Sequence, residues 1–249
     1  MGILSSVGSF FGKIGRGVSA GWGQLLGIAK ELTQRGLGFF GFFDYIFGLI
    51  GIRPKKKLYL RVVVLRDEGH SLIADLAEVS SIIDYAESIF LSQANIDIVP
   101  VDGRFIEVSQ YPAPTAALDV DCGIGLWTDD FGEAGDYFRM NSTAMFLRSQ
   151  TGYGSSITAF IVRTIREDGG IKRGCSMTMF ANYVGVSRLG LNNPPSRALA
   201  NEIAHTYGLA LLLHSSGNKN LMNINDLTGV NLTNFQKARL RNSPHVTYF

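Results

Sequence analysis

At Arg53-Pro54-Lys55-Lys56-Lys57 the chain changes character so sharply that its two sides cannot share one folding pattern. Residues 1–52 hold 13 of the 29 glycines and 7 of the 16 phenylalanines. Immediately after the basic run, Leu58–Leu65 reads LYLRVVVL, a β-branched stretch of the kind that fills the middle of a sheet. Charge divides at the same point. Residues 1–57 carry 8 Lys+Arg against 2 acids, a net of +6, whereas residues 58–249 carry 15 against 19, a net of −4. The sequence therefore divides into an appended segment, 1–57, and one domain, 58–249. The acidic balance of the domain argues against nucleic acid as its partner. With 46% hydrophobic residues the chain is too apolar to be disordered. Its two cysteines exclude a four-cysteine zinc site and a disulfide-built scaffold.

In the first segment Phe10, Phe11, Ile14, Val18, Trp22, Leu25 and Leu26 follow a weakly amphipathic helical spacing, with Lys13, Arg16 and Lys30 as basic complement. Glycine inside such a helix costs about 1 kcal/mol relative to alanine, so the helix needs a lipid interface or close helical neighbours. Gly36–Ile52 follows as GLGFFGFFDYIFGLIGI, 17 residues with a single charge at Asp44. That is just short of the roughly 20 apolar residues that cross a bilayer, and an acid at mid-depth demands a partner. The expectation is a helical segment that associates with a membrane or with a hydrophobic protein assembly. If residues 36–52 span, the basic cluster places the following domain on the cytoplasmic side.

The domain reads as a mixed α/β (α+β) arrangement. Leu72, Leu76, Val79, Ile83, Ala86 and Phe90 fall at alternating spacings of 4 and 3, predicting an amphipathic helix over 72–90. Strands are expected at Leu58–Leu65, Asn95–Val101, Ser156–Ile165 and Tyr183–Ser187, with an edge strand somewhere in the glycine-punctuated piece between the last two. Pro194-Pro195-Ser196 opens a helix running to about Tyr207, with Ser196 as its cap, and a last helix starts near Thr233 and ends near Arg241. Asp119, Asp121, Asp129 and Asp130 read as a solvated acidic loop, and His70 and His245 as surface residues. The spacing leaves open whether Cys122 and Cys175 pair.

The chemistry concentrates in Ala198-Leu199-Ala200-Asn201-Glu202-Ile203-Ala204-His205-Thr206-Tyr207-Gly208-Leu209. Positions four apart share one helix face, so residues 201 and 205 lie together. This stretch resembles the active-site helix of the zincin metallopeptidases, in particular the metzincins, whose pattern is H-E-x-x-H-x-x-G-x-x-H. Glu202, His205 and Gly208 match it. Asn201 stands at the first histidine, and Leu211 stands at the third, with His214 three residues later. Gly217-Asn218-Lys219-Asn220-Leu221-Met222-Asn223 resembles the family's methionine turn, and the segment around Thr233–Arg239 its last helix. Gly174-Cys175-Ser176 falls near the upper edge of the cleft.

The resemblance implies a zincin-like mixed sheet over roughly 58–248. It implies zinc as the cofactor, held by Asn201, His205 and His214, with Glu202 as general base and a peptide as substrate. An amide oxygen is a weak zinc ligand beside imidazole, and a displaced third ligand requires a rebuilt loop. Whether the chain is an enzyme turns on those two positions. The first reading is a degenerate metallopeptidase with a structural or binding role in a membrane-associated assembly. The alternative is an active zinc-dependent endopeptidase, and a further alternative is a membrane-inserting or pore-forming protein carrying the domain.

Overall fold

The computed structural model describes residues 51–122, 133–142, 154–167, 169–176, 181–192, 196–209, 219–223 and 228–248. The expected helical segment over residues 1–50 and the ligand candidate His214 lie outside them. So do Asp129 and Asp130. Among the described residues no helix is long and apolar enough to cross a membrane.

The domain is mixed α/β, built on strand β1, Lys56–Arg66. Leu58, Leu60 and Val62–Leu65 on this strand are buried, as a central strand covered on both faces requires. The structure extends it to Lys56, two residues before the predicted start, because the basic cluster is part of the domain. Lys56 is buried and donates from Nζ to the Arg241 carbonyl at 2.9 Å, and Lys55 pairs with Asp97. Arg241 in turn donates to the Pro54 carbonyl.

Helix α1, Leu76–Ala94, starts four residues later than predicted because Asp75 caps it, accepting from the Ala77 N–H at 2.8 Å. It buries Val79, Ile82, Ile83, Ala86, Ile89 and Phe90 along one stripe and ends at Asn95, whose left-handed φ of 52° turns the chain into β2, Ile96–Pro100. Strand β3, Ile106–Pro112, had no clear signature, and it pairs in parallel with β1 beyond the end of β2. The short helix α2, Thr115–Leu118, leads into β4, Asp119–Asp121, and helix α3 covers Glu133–Asn141.

The predicted strand 156–165 is in fact two strands in different sheets. Strand β5, Ile157–Val162, is wholly buried between β1 and β9, whereas β6, Thr164–Glu167, joins β4 and β7, Gly170–Lys172. The break falls at Arg163, whose guanidinium turns outward onto Asp119 and Glu68. Asp119 is therefore a strand residue in an ion pair rather than part of a solvated loop. Strand β8, Gly174–Ser176, is the expected edge strand, antiparallel to β9, Tyr183–Ser187.

After the one-turn helix α4, Arg188–Leu191, the chain reaches α5, Ala198–Ala204, which continues as a π-helical turn, His205–Leu209. Helix α6, Asn234–Arg241, is capped by Thr233, near which its start was expected, and β10, Val246–Thr247, closes antiparallel on the start of β1. The large sheet runs β10-β1-β5-β9-β8, with β2 and β3 also on β1. Helix α5 packs against α1 and along β8 and β9, which puts the motif residues beside the edge strand.

Candidate functional site around Glu202

Arg197 precedes α5 and takes the cap position that sequence reasoning gave to Ser196, whose hydroxyl accepts from the Ala198 N–H at 3.3 Å. The side chains of Arg197 and Asn201 are one turn apart and reach the same target. Arg197 donates from Nη1 to the Leu221 carbonyl and from Nη2 to the Asn223 carbonyl, and Asn201 donates from Nδ2 to the Leu221 carbonyl at 3.0 Å. The Met222 sulfur lies 3.8 Å from the same Asn201 nitrogen. The Leu221-Met222-Asn223 turn, all three residues buried, is thus fastened to the helix by a cation and an amide.

That turn is also shaped from its other side. Asn220 accepts the Met222 N–H on Oδ1 at 2.9 Å and donates from Nδ2 to Gln236 at 2.9 Å. Gln236 completes a capping box with Thr233 at the start of α6. Gly229 lets a neighbouring strand of chain approach, since a Cβ there would come within 2.5 Å of the Asn220 carbonyl.

Glu202 leaves the same helix toward β8. It is 7% exposed, and its side chain fills the space above Gly174, where a Cβ would sit 2.4 Å from Glu202 Cγ. A glycine is required at 174 for this close approach. Burial pushes the Glu202 carboxyl up to about 8; the Ser176 hydroxyl bond and the Arg197 charge pull against that, and the Glu167 charge adds to it. At neutral pH the group is a protonated acid that can share hydrogen bonds, and it takes up a base's role only on ionising.

His205 is half-buried at the first position of the π-helical turn, a local distortion that recurs at functional sites. Tyr207, two residues on, is buried against Phe90 and His245. His245 was expected at the surface, but it is 7% exposed, with Nδ1 2.8 Å from the Ser155 hydroxyl; burial holds its pKa down at about 4. It is a core histidine because β10 folds the C-terminal residues back onto β1.

The structure brings Asn201 and Met222 together, and sends Glu202 of the same helix to Gly174. A zinc ion needs at least three good donors here. Among the described residues no group of three His, Cys, Asp or Glu side chains could hold a metal ion. Asn201 directs its amide nitrogen to the Leu221 carbonyl, and His205 supplies one imidazole. Those two groups alone do not fit zinc.

Searched against protein-family models and against curated proteins, the chain matches none.

Arg197 carries no spacing signal and escaped sequence reasoning. Cys122 and Cys175 are joined by a disulfide, with Cα atoms 6.3 Å apart, and only the fold brings them together.

Proposed function

We propose that residues 58–249 form a zincin-like domain whose peptidase centre has become a fixed polar joint, and that the chain serves a binding or structural role in a membrane-associated assembly. One observation carries this reading. Asn201, at the position of the family's first metal ligand, hydrogen-bonds the Leu221 carbonyl beside Met222. The amide ties the helix directly to the turn beside it, in the place where the family carries an imidazole for the metal. Two further features support the reading. Glu202 is buried and protonated at neutral pH, which suits a packed carboxyl better than a base. The edge strand β8 lies against that carboxyl, as the upper edge of the family's cleft would.

The attachment rests on the sequence of residues 1–52. The Cys122–Cys175 disulfide favours an oxidising compartment for the domain. A span at 36–52 oriented by the basic cluster would put the domain in a reducing cytoplasm. Disulfide and span therefore pull apart, and an interfacial or protein-bound arrangement of the apolar segment reconciles them.

The test is zinc content. Full chain purified without chelator is expected to carry far less than one zinc per chain and to leave unstructured peptides uncut. Stoichiometric zinc that is lost in His205→Ala would establish the endopeptidase reading in its place.

A further inference from the structure

We propose that the Cys122–Cys175 disulfide is a redox latch that holds β8 over Glu202, so that a dithiol reductant opens this edge of the domain while the rest of the sheet stays folded. The bond joins two sheets. Cys122 directly follows β4, and its N–H continues the ladder onto the Arg166 carbonyl of β6. Cys175 is the middle residue of β8, paired with Gly185 at the end of the large sheet. Both chain neighbours of Cys175 meet the candidate site: Gly174 lies under the Glu202 side chain, and the Ser176 hydroxyl bonds its carboxyl.

Among the described residues strand β8 is held by its ladder to β9 and by its packing on α5. It is three residues long and ends the strand order β10-β1-β5-β9-β8. Its N-terminal side is anchored, since the Ser187 N–H and hydroxyl bond the Arg173 and Lys172 carbonyls. The disulfide is the covalent tie on the strand's middle residue, and it alone of these links reaches the smaller sheet. A hinge at Ser187 and a latch at Cys175 make a unit that can swing without disturbing β1 or β5.

Access favours attack at one sulfur. Cys122 is buried, while Cys175 is half-buried. A thiolate of the dithiol attacks Cys175 Sγ, the S–S bond breaks, and Cys122 leaves as a thiolate that takes a proton. The second thiol of the reductant closes on the mixed disulfide and releases the Cys175 thiol. Two electrons pass to the cysteines, and the reductant ends as a cyclic disulfide. The proposal does not depend on whether the site binds metal.

The test uses the full chain with dithiothreitol, followed by hydrogen exchange and by carbodiimide labelling of carboxyl groups. When both thiols have been freed, amides of residues 174–176 are expected to exchange on the order of tenfold faster, with those of β1 and β5 unchanged. Glu202 is expected to become labelled only after reduction. A Cys122→Ser, Cys175→Ser double variant reproduces both changes without reductant, so the test survives if the reduced protein aggregates. Unchanged exchange at 174–176 with thiols free would overturn the latch. So would equal acceleration across β1 and β5, which would make the bond a staple of the whole fold.

Discussion

Replacing Glu202 by glutamine is expected to reshape how stability depends on pH. In the unfolded chain the carboxyl titrates at its ordinary 4.5; in the fold, burial holds the proton until about 8. The folded state therefore keeps a proton that the unfolded state has given up. Stability from this group is complete below pH 4.5, falls as pH rises, and levels off above 8. Moving the pKa by that much disfavours ionisation in the fold by about 5 kcal/mol, of which about 2 kcal/mol falls between pH 6.5 and 8.5. For a domain of this size that is a drop in melting temperature of about 4–8 °C.

His245 has the opposite sign. Its depressed pKa of about 4 means that the unfolded state gains a proton first, so stability is lost as pH falls from 6.5 toward 4. In the window between about 4.5 and 6.5 the two slopes cancel. Wild type is thus expected to show a plateau there and a decline above it. Glu202→Gln keeps the Ser176 hydrogen bond, loses the alkaline decline, and exposes the acid slope of His245. His245→Gln loses the plateau and declines continuously from 4.5 to 8. Thermal melts at half-unit pH intervals read all three profiles. A wild-type melting temperature that stays flat from pH 6.5 to 8.5, or an unchanged decline in Glu202→Gln, would refute the assignment of a buried protonated acid.

Arg197→Leu leaves the Leu221 and Asn223 carbonyls without their charged donor and should cost about 3 kcal/mol, whereas Asn201→Ala, removing one neutral bond to Leu221, should cost about 1 kcal/mol. A chain starting at Leu58 removes the Lys56 ammonium from the Arg241 carbonyl and the Pro54 carbonyl from the buried Arg241; it should be at least about 2 kcal/mol less stable than one starting at Gly51.

The parts of the fold that were legible in the sequence are those whose stability is local or strongly patterned. The buried stripe of α1 follows the helical period, the last helix starts and ends near the expected Thr233 and Arg241, and the β-branched run of β1 marks a central strand. What failed depended on distant partners. Nothing in Ser156–Ile165 signals that Arg163 turns away to Asp119 and Glu68 and sends the chain into a second sheet. Strand β3 is mostly half-buried and lacks a clean alternation. His245 looks like a surface residue until β10 folds it inward. At the site, the helix that carries Asn201, Glu202 and His205 was readable from its opening Pro194-Pro195-Ser196, and the three residues were singled out by a family resemblance. That Asn201 bonds the Leu221 carbonyl, and that Glu202 packs on Gly174, follow from contacts across 20 and 28 residues of chain and have no local signature.

The most direct test of the rebuilt site is a zinc titration of wild type and Asn201→His side by side, followed by melting temperature. A metal that binds only the folded state raises that temperature once its free concentration exceeds Kd, and the rise then grows with the logarithm of concentration. The account predicts no such rise for wild type. It predicts one in Asn201→His, where an imidazole replaces the amide on the face that carries His205. A logarithmic rise in wild type that disappears in His205→Ala would contradict it.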